Sequence, residues 1–362
     1  MTTTDSSSSS HEEYPLSMTE DERYLFDLNG YLIIRGVLTP EQVKEANEAI
    51  DRHQHEMIQR SEGALRNAVK GTTMYGTGPG RKDLGGVLEW DYQDSKIFKS
   101  ILAHPRLVPI FHGILGKGYR LDHIPFVIAQ DVGAEGFQLH GGTVDCVSGM
   151  CRHLCITVMI IFIIISTNLH THVFSHRSYF WLYIVGEYNP HLAYTCHHGF
   201  IRSALLGCNV MLTDHNAGYG GFCIVPGSHK SNFKMPKGMV DGEAYSEYIV
   251  QPATKAGDVV LFSEGTVHGA MPWTQNFQRR VCLYRFSPAT NVYGRSYFGH
   301  EGNGWPVRMY ENLTQAERAV LEPPYANRLD RPEIQPDGSI VIQTRNARKK
   351  QHDQQLFKTK YF

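Results

Sequence analysis

The sequence lacks several features that would assign it to a class at once. It has no charge surplus: Lys+Arg number 35 against 36 Asp+Glu. A nucleic-acid backbone or an anionic membrane rewards a basic excess, so neither is expected as the main partner. Its 7 cysteines (Cys146, Cys151, Cys155, Cys196, Cys208, Cys223, Cys282) are odd in number, scattered and without a CxxC pair. They read as reduced thiols of an intracellular protein, with neither a zinc site nor a disulfide framework. The opening MTTTDSSSSSHEE lacks a basic and then apolar signal pattern, so residues 1–17 read as a disordered lead and the location as cytoplasmic. The Lys360-Tyr361-Phe362 end is not a Ser-Lys-Leu address.

What is present is an ordinary globular composition, 41% hydrophobic and 20% charged over 362 residues, enough for a sizeable core. Thr19 with Glu20, Asp21 and Glu22 starts a helix, and Gly30 stops it. Tyr31–Ile34 reads as a strand. Thr39-Pro40-Glu41-Gln42 is a capping box with Pro at the first helical position, followed by an apolar face of Val43, Ala46, Ala49 and Ile50. A further helix is expected from Pro105 to Gly116. From Ile124 onward, short apolar runs alternate with Gly, Pro, Asn and Asp: 124–129, 204–212, 222–225, 248–251, 259–262 and 281–286. Helices first and strands afterwards imply a mainly β domain with supporting helices, in which the strands close an antiparallel barrel. The domain is drawn over 18–325, with a last helix capped by Thr314 and Glu317. A C-terminal extension, 326–362, carries a basic tail, Arg345–Lys350, expected to be solvated and mobile.

Residues 150–186 break this pattern with the run CRHLCITVMIIFIIISTNLHTHVFSHRSYFWLYIVG behind Met150. The isoleucine-rich part is too short to span a bilayer comfortably and has neither a polar face nor caps. Gly149-Met150-Cys151 can be encoded through GTATGT, an intron donor, and Val185-Gly186 through a TAG acceptor in the matching phase. The segment therefore reads as translated intron in a eukaryotic gene, and its removal joins Ser148 through one Gly to Glu187-Tyr188-Asn189-Pro190.

The residues that carry chemistry come in a fixed order. His140 lies in Gly136–Gly142, then follow Gly220–Lys230 ending in Pro-Gly-Ser-His-Lys, Gly257-Asp258 entering a strand, His268-Gly269, and Arg279-Arg280 opening the last strand. Each alone has a bland explanation: a loop histidine, a turn, a pair of solvated arginines. His197-His198 reads as a solvated turn, His229 as a brace for its own turn, and Trp273 equally as pocket wall or rim filler.

In this order the motifs resemble the phytanoyl-CoA dioxygenase family, over Tyr31 to Pro288. The resemblance implies a double-stranded β-helix barrel, of jelly-roll or cupin type. It further implies an oxidoreductase, a dioxygenase that uses Fe(2+) and the co-substrate 2-oxoglutarate to hydroxylate a small organic or lipid-like molecule. His140 and His268 would be the imidazole ligands, and two imidazoles with one carboxylate suit Fe(II) with open positions. Arg279 would hold the far carboxylate of 2-oxoglutarate, since a planar guanidinium pairs bidentately. Arg280, one residue on, faces the other way along a strand.

One element of the pattern is missing. The family's His-x-Asp becomes His140-Gly141-Gly142. The absent carboxylate leaves three readings: Asp145, or less readily Asp214, takes its place; the position is left to water or chloride, as in iron halogenases; or the barrel is non-catalytic. Gly142→Asp, which rebuilds the His-x-Asp pattern, is expected to tighten Fe(II) binding and to increase uncoupled 2-oxoglutarate consumption.

Overall fold

A computed structural model describes residues 14–60, 66–142, 190–294, 304–324, 331–343 and 347–358. The suspected insert and Asp145 lie outside the described residues.

The two N-terminal helices form where their caps demand. Helix α1 (Glu20–Asn29) has the full Thr19–Glu22 capping box and ends at Gly30 in the left-handed conformation. Helix α2 (Pro40–Arg52) has the Thr39–Gln42 box and buries Val43, Ala46, Ala49 and Ile50. Between them runs β1 (Tyr31–Ile34). After β2 (Ile58–Gln59) and β3 (Lys82–Leu84) come α3 (Tyr92–Ser100) and α4 (Val108–Leu115). Helix α4 begins three residues later than Pro105, because Leu107 and Val108 first close a turn onto the His104 carbonyl.

The strands β4 (Arg120–Gln130), β5 (Phe137–His140), β6 (Tyr194–His197), β7 (Phe200–Ser203), β8 (Leu206–Met211), β9 (Gly221–Ile224), β10 (Val259–Ser263), β11 (His268–Met271) and β12 (Arg279–Ser287) follow. A seven-stranded sheet runs β1-β10-β8-β12-β4-β3-β2, and a three-stranded sheet runs β5-β11-β9. The two face each other as a jelly roll, the double-stranded β-helix expected from the motif order. The run 248–251 forms no strand, only a bridge from Val250 to Ile224.

The centre of the larger sheet is buried on both faces, which is why β8 and β10 contain no exposed residue, while its edge strand β2 is exposed. Along β12 the alternation is plain. Cys282, Tyr284 and Phe286 pack outward with Phe111, Tyr119 and the helices. Val281 and Leu283 point inward with Met211, Phe222 and Phe262. Each such side chain contributes roughly 1.5–3 kcal/mol when fully buried.

Helix α5 (Lys237–Val240) lies in the loop after β9, and α6 (Gln315–Val320) carries the Thr314–Glu317 box. The C-terminal extension is more ordered than its composition suggested. Strands β13 (Arg331–Ile334) and β14 (Ile340–Gln343) pair as a hairpin, with Ile340 and Ile342 against the main core. Within the basic tail, residues from Ala347 onward form helix α7 (Ala347–Phe357), built from Lys, Gln, Leu and other good helix formers.

Candidate metal centre

His140 ends β5 and His268 begins β11, and the two are direct cross-strand partners. Strand register therefore brings together residues 128 positions apart in sequence. Their ring centroids lie 4.3 Å apart. The third member of the cluster is Glu264, whose carboxylate lies with the two imidazoles so that one donor atom of each falls within 4.8 Å of the others. Sequence reasoning did not single out Glu264. Its one signal was a carboxylate at the end of an apolar barrel strand, four residues before His268.

Local hydrogen bonds fix how each group presents itself. His140 Nδ1 lies 3.0 Å from the Gln138 carbonyl oxygen and His268 Nδ1 lies 2.7 Å from that of Thr266. Both imidazoles are thereby set to carry the proton on Nδ1, leaving the Nε2 lone pairs free for a ligand. His268 Nε2 is 3.4 Å from Glu264 Oε2, while Arg285 Nε donates to Glu264 Oε1 at 2.6 Å. Desolvation, with His268 adjacent, pushes the His140 pKa down to about 3, so its ring is neutral at neutral pH. Burial acts to raise the Glu264 pKa, but Arg285 and His268 outweigh it and hold the carboxyl well below the ordinary range. The donor set is thus two imidazoles, each with Nδ1 committed to a backbone carbonyl, and one carboxylate. With bonds of about 2.0–2.2 Å, donors on one metal stand roughly 3–4 Å apart, so the cluster needs only a slight contraction. The residues fit a first-row divalent ion with open positions.

The turn that carries Glu264 is pinned from two sides. Ser228, in the Pro-Gly-Ser-His-Lys motif, accepts from Val267 N at 2.7 Å, and Thr266 donates to the Gly30 carbonyl at 3.1 Å. His229 in the same motif braces the turn as expected, bonding the Asp27 carbonyl. On its third side the turn meets the glycines after His140. A Cβ on Gly141 would stand 2.6 Å from the Glu264 carbonyl oxygen, and one on Gly142 would stand 2.3 Å from that of Gly265. Gly142 also has φ +51°. A side chain at 142 therefore meets the backbone of the turn that carries Glu264, and has to displace it before it can add a carboxylate to the cluster.

Asp214 is elsewhere, bonded to Lys255 Nζ and Ala256 N and half exposed. His197 and His198 are exposed at the β6–β7 turn. Trp273 is fully buried, donates to the Phe277 carbonyl at 2.6 Å, and fills the loop before β12, outside the cavity lining.

A cavity opens from the cluster into the barrel, between apolar walls that include Phe126, Phe222 and Leu283. Arg279 lies on its lining, donates to Gln130 Oε1 at 2.7 Å, and keeps its buried Nε without a hydrogen-bond partner. Arg280 points out of the barrel to Asp51 at 2.6 Å. Arg81, 3.0 Å from Asp83, and Arg285 add two further guanidinium groups to the lining.

Comparison with known proteins follows this geometry. Residues 169–281 match the family model described as phytanoyl-CoA dioxygenase (PhyH), which bears out the resemblance carried by the motifs. The match starts inside 150–186 and does not reach His140. No curated protein matches the sequence. Among solved structures, HygX from Streptomyces hygroscopicus with nickel and 2-oxoglutarate bound is similar at TM-score 0.53 and 18% identity, over 77% of this chain and 90% of that one. The same protein with iron bound gives 0.52 and 17%, and with nickel, 2-oxoglutarate and hygromycin B bound 0.52 and 17% over 76% and 90%. The iron-bound form is covered to the same extent as the first, 77% and 90%. At this identity the likeness establishes the fold.

Proposed function

We propose that this protein is an Fe(II)- and 2-oxoglutarate-dependent oxygenase acting on a small molecule, with His140, His268 and Glu264 as the metal ligands. The observation that carries this reading is the convergence of the two Nδ1-anchored imidazoles with a buried, ionised carboxylate at the mouth of a barrel cavity. The iron, when bound with 2-oxoglutarate, supplies the oxidising chemistry.

The chain's own residues do the rest. His140 and His268 offer Nε2 in a fixed orientation. Glu264 adds the negative charge that imidazole ligands do not supply. Arg279, farther along the same inward face of β12, suits the far carboxylate of a dicarboxylic keto acid, its unpartnered Nε included. The apolar walls limit the substrate to something small or narrow at the reacting end and keep water away from it. The halogenase-like and non-catalytic readings both started from an absent carboxylate, and Glu264 supplies one.

The test is metal binding, measured with Fe(II) under anaerobic conditions and with Co(II) as a spectroscopic substitute. Wild type is expected to bind one equivalent and to turn over 2-oxoglutarate. Glu264→Gln, which removes the charge and keeps the shape, is expected to lose at least about tenfold in affinity. Equal binding by wild type and Glu264→Gln, or no binding by wild type, would sink the proposal.

Two arms of the barrel also bear on residues 150–186. A Cβ on Gly142 meets the Gly265 carbonyl, and a Cβ on Gly265 would stand 2.5 Å from the Leu192 carbonyl oxygen. The described chain therefore leaves and re-enters at one turn, which supports a segment whose removal leaves the barrel joined.

A further inference from the structure

We propose that Arg285 is a positioning residue that confines Glu264 to a single metal-binding oxygen, and so keeps open the positions a chelating keto acid needs; this rests on the metal centre proposed above.

Arg279, Val281, Leu283 and Arg285 are alternate residues of β12 and all line the cavity. The pairing of β12 with β8 stays in register through Arg285, and the extra residues in its pairing with β4 lie on β4, so Arg285 keeps the inward parity of Leu283. From there Nε of Arg285 lies 2.6 Å from Glu264 Oε1.

The other carboxylate oxygen, Oε2, is the one beside His268 Nε2 at 3.4 Å. One oxygen is thus held by a charge-assisted hydrogen bond and the other faces the cluster. A buried ion pair of this kind adds little net stability compared with apolar side chains of the same volume, so stability alone does not account for it.

The consequence follows from counting positions. Two imidazole nitrogens and one carboxylate oxygen fill three of the six positions of an octahedral ion. A carboxylate binding through both oxygens takes a fourth. A keto acid that chelates through two atoms would then leave none for a further ligand. By holding Oε1, Arg285 prevents that second bond. Glu264 lies on the turn between β10 and β11, with Oε2 3.4 Å from His268 Nε2, so that a bound ion would be held by the two together.

The experiment uses the full chain loaded with Co(II), comparing wild type with Glu264→Gln, Arg285→Met, Arg285→Leu and Arg285→Lys. Three quantities are read: Co(II) affinity, the visible ligand-field spectrum before co-substrate, and 2-oxoglutarate affinity of the loaded protein. Arg285→Met and Arg285→Leu are expected to keep Co(II) within a few-fold, to change the spectrum, and to bind 2-oxoglutarate at least about tenfold more weakly. Arg285→Lys, which still donates to Oε1, is expected to restore most of both. A wild-type spectrum and wild-type 2-oxoglutarate affinity in a folded Met or Leu variant overturns the role given to Arg285. Undiminished Co(II) binding by Glu264→Gln instead overturns the metal centre itself. The two apolar variants are judged independently by thermal melting, so a misfolded protein does not decide the matter.

Discussion

Restoring the family's aspartate in this chain should damage the site it is meant to complete. Gly142 has φ +51°, a conformation that costs an L-residue roughly 1–2 kcal/mol, somewhat less for aspartate. A Cβ there would stand 2.3 Å from the Gly265 carbonyl oxygen, where ordinary contact begins at 3.4 Å, so one backbone must move by about 1.1 Å, the difference of the two. That turn cannot yield freely, because Ser228 and Gly30 hold it. Overpacking of this kind costs about 1–3 kcal/mol. A total near 3 kcal/mol corresponds to a fall in melting temperature of about 4–5 °C for a chain of 362 residues. The displaced turn carries Glu264, so metal affinity should fall as well. Thermal unfolding of the metal-free protein and a Co(II) titration measure the two effects. Gly142→Ala should reproduce the loss of stability without offering a carboxylate. A Gly142→Asp protein that melts like wild type and binds metal more tightly would refute the reasoning.

The other predictions are narrower. Arg279→Lys should weaken 2-oxoglutarate binding by about tenfold, near 1.4 kcal/mol, while Arg280→Lys, altered outside the barrel, should leave it unchanged; calorimetric titration of the metal-loaded protein distinguishes them. Asp122 is buried, which alone would raise its pKa, but His123 and the amides of Tyr293 and Gly294 hold it below the ordinary carboxylate range. Because its folded pKa is depressed, its contribution is present above the unfolded carboxylate pKa and is lost as pH falls through the folded one. Asp122→Asn should therefore flatten the acid limb of a melting-temperature profile, and an unchanged limb would count against this account. For residues 150–186, the sequenced transcript across Ser148–Glu187 should lack their codons; a transcript that retains them removes the intron reading, and the family match beginning at residue 169 is the observation such a result would join.

The sequence by itself determined the local elements. Caps at Thr19, Thr39 and Thr314 are contained within four residues each, and the structure forms all three. Parity along β12 separated an inward Arg279 from an outward Arg280, because successive strand residues face opposite ways. The order of His140, Pro-Gly-Ser-His-Lys, His268 and Arg279 was enough to expect the barrel. The basic tail was half legible: Arg348 is exposed, as its charge suggested, while the helix α7 that starts within it was not foreseen. What only tertiary structure decided was the third member of the cluster, Glu264. Spacing along the chain pointed to residues just after His140, since the family's carboxylate is local to its histidine. Glu264 reaches the site through pairing of β5 with β11 and through a turn that packs on Gly141 and Gly142. No rule of periodicity or capping expresses a contact between two loops 122 residues apart, from Gly142 to Glu264. Nor does it express the guanidinium of Arg285 that turns one oxygen of that carboxylate away from the cluster.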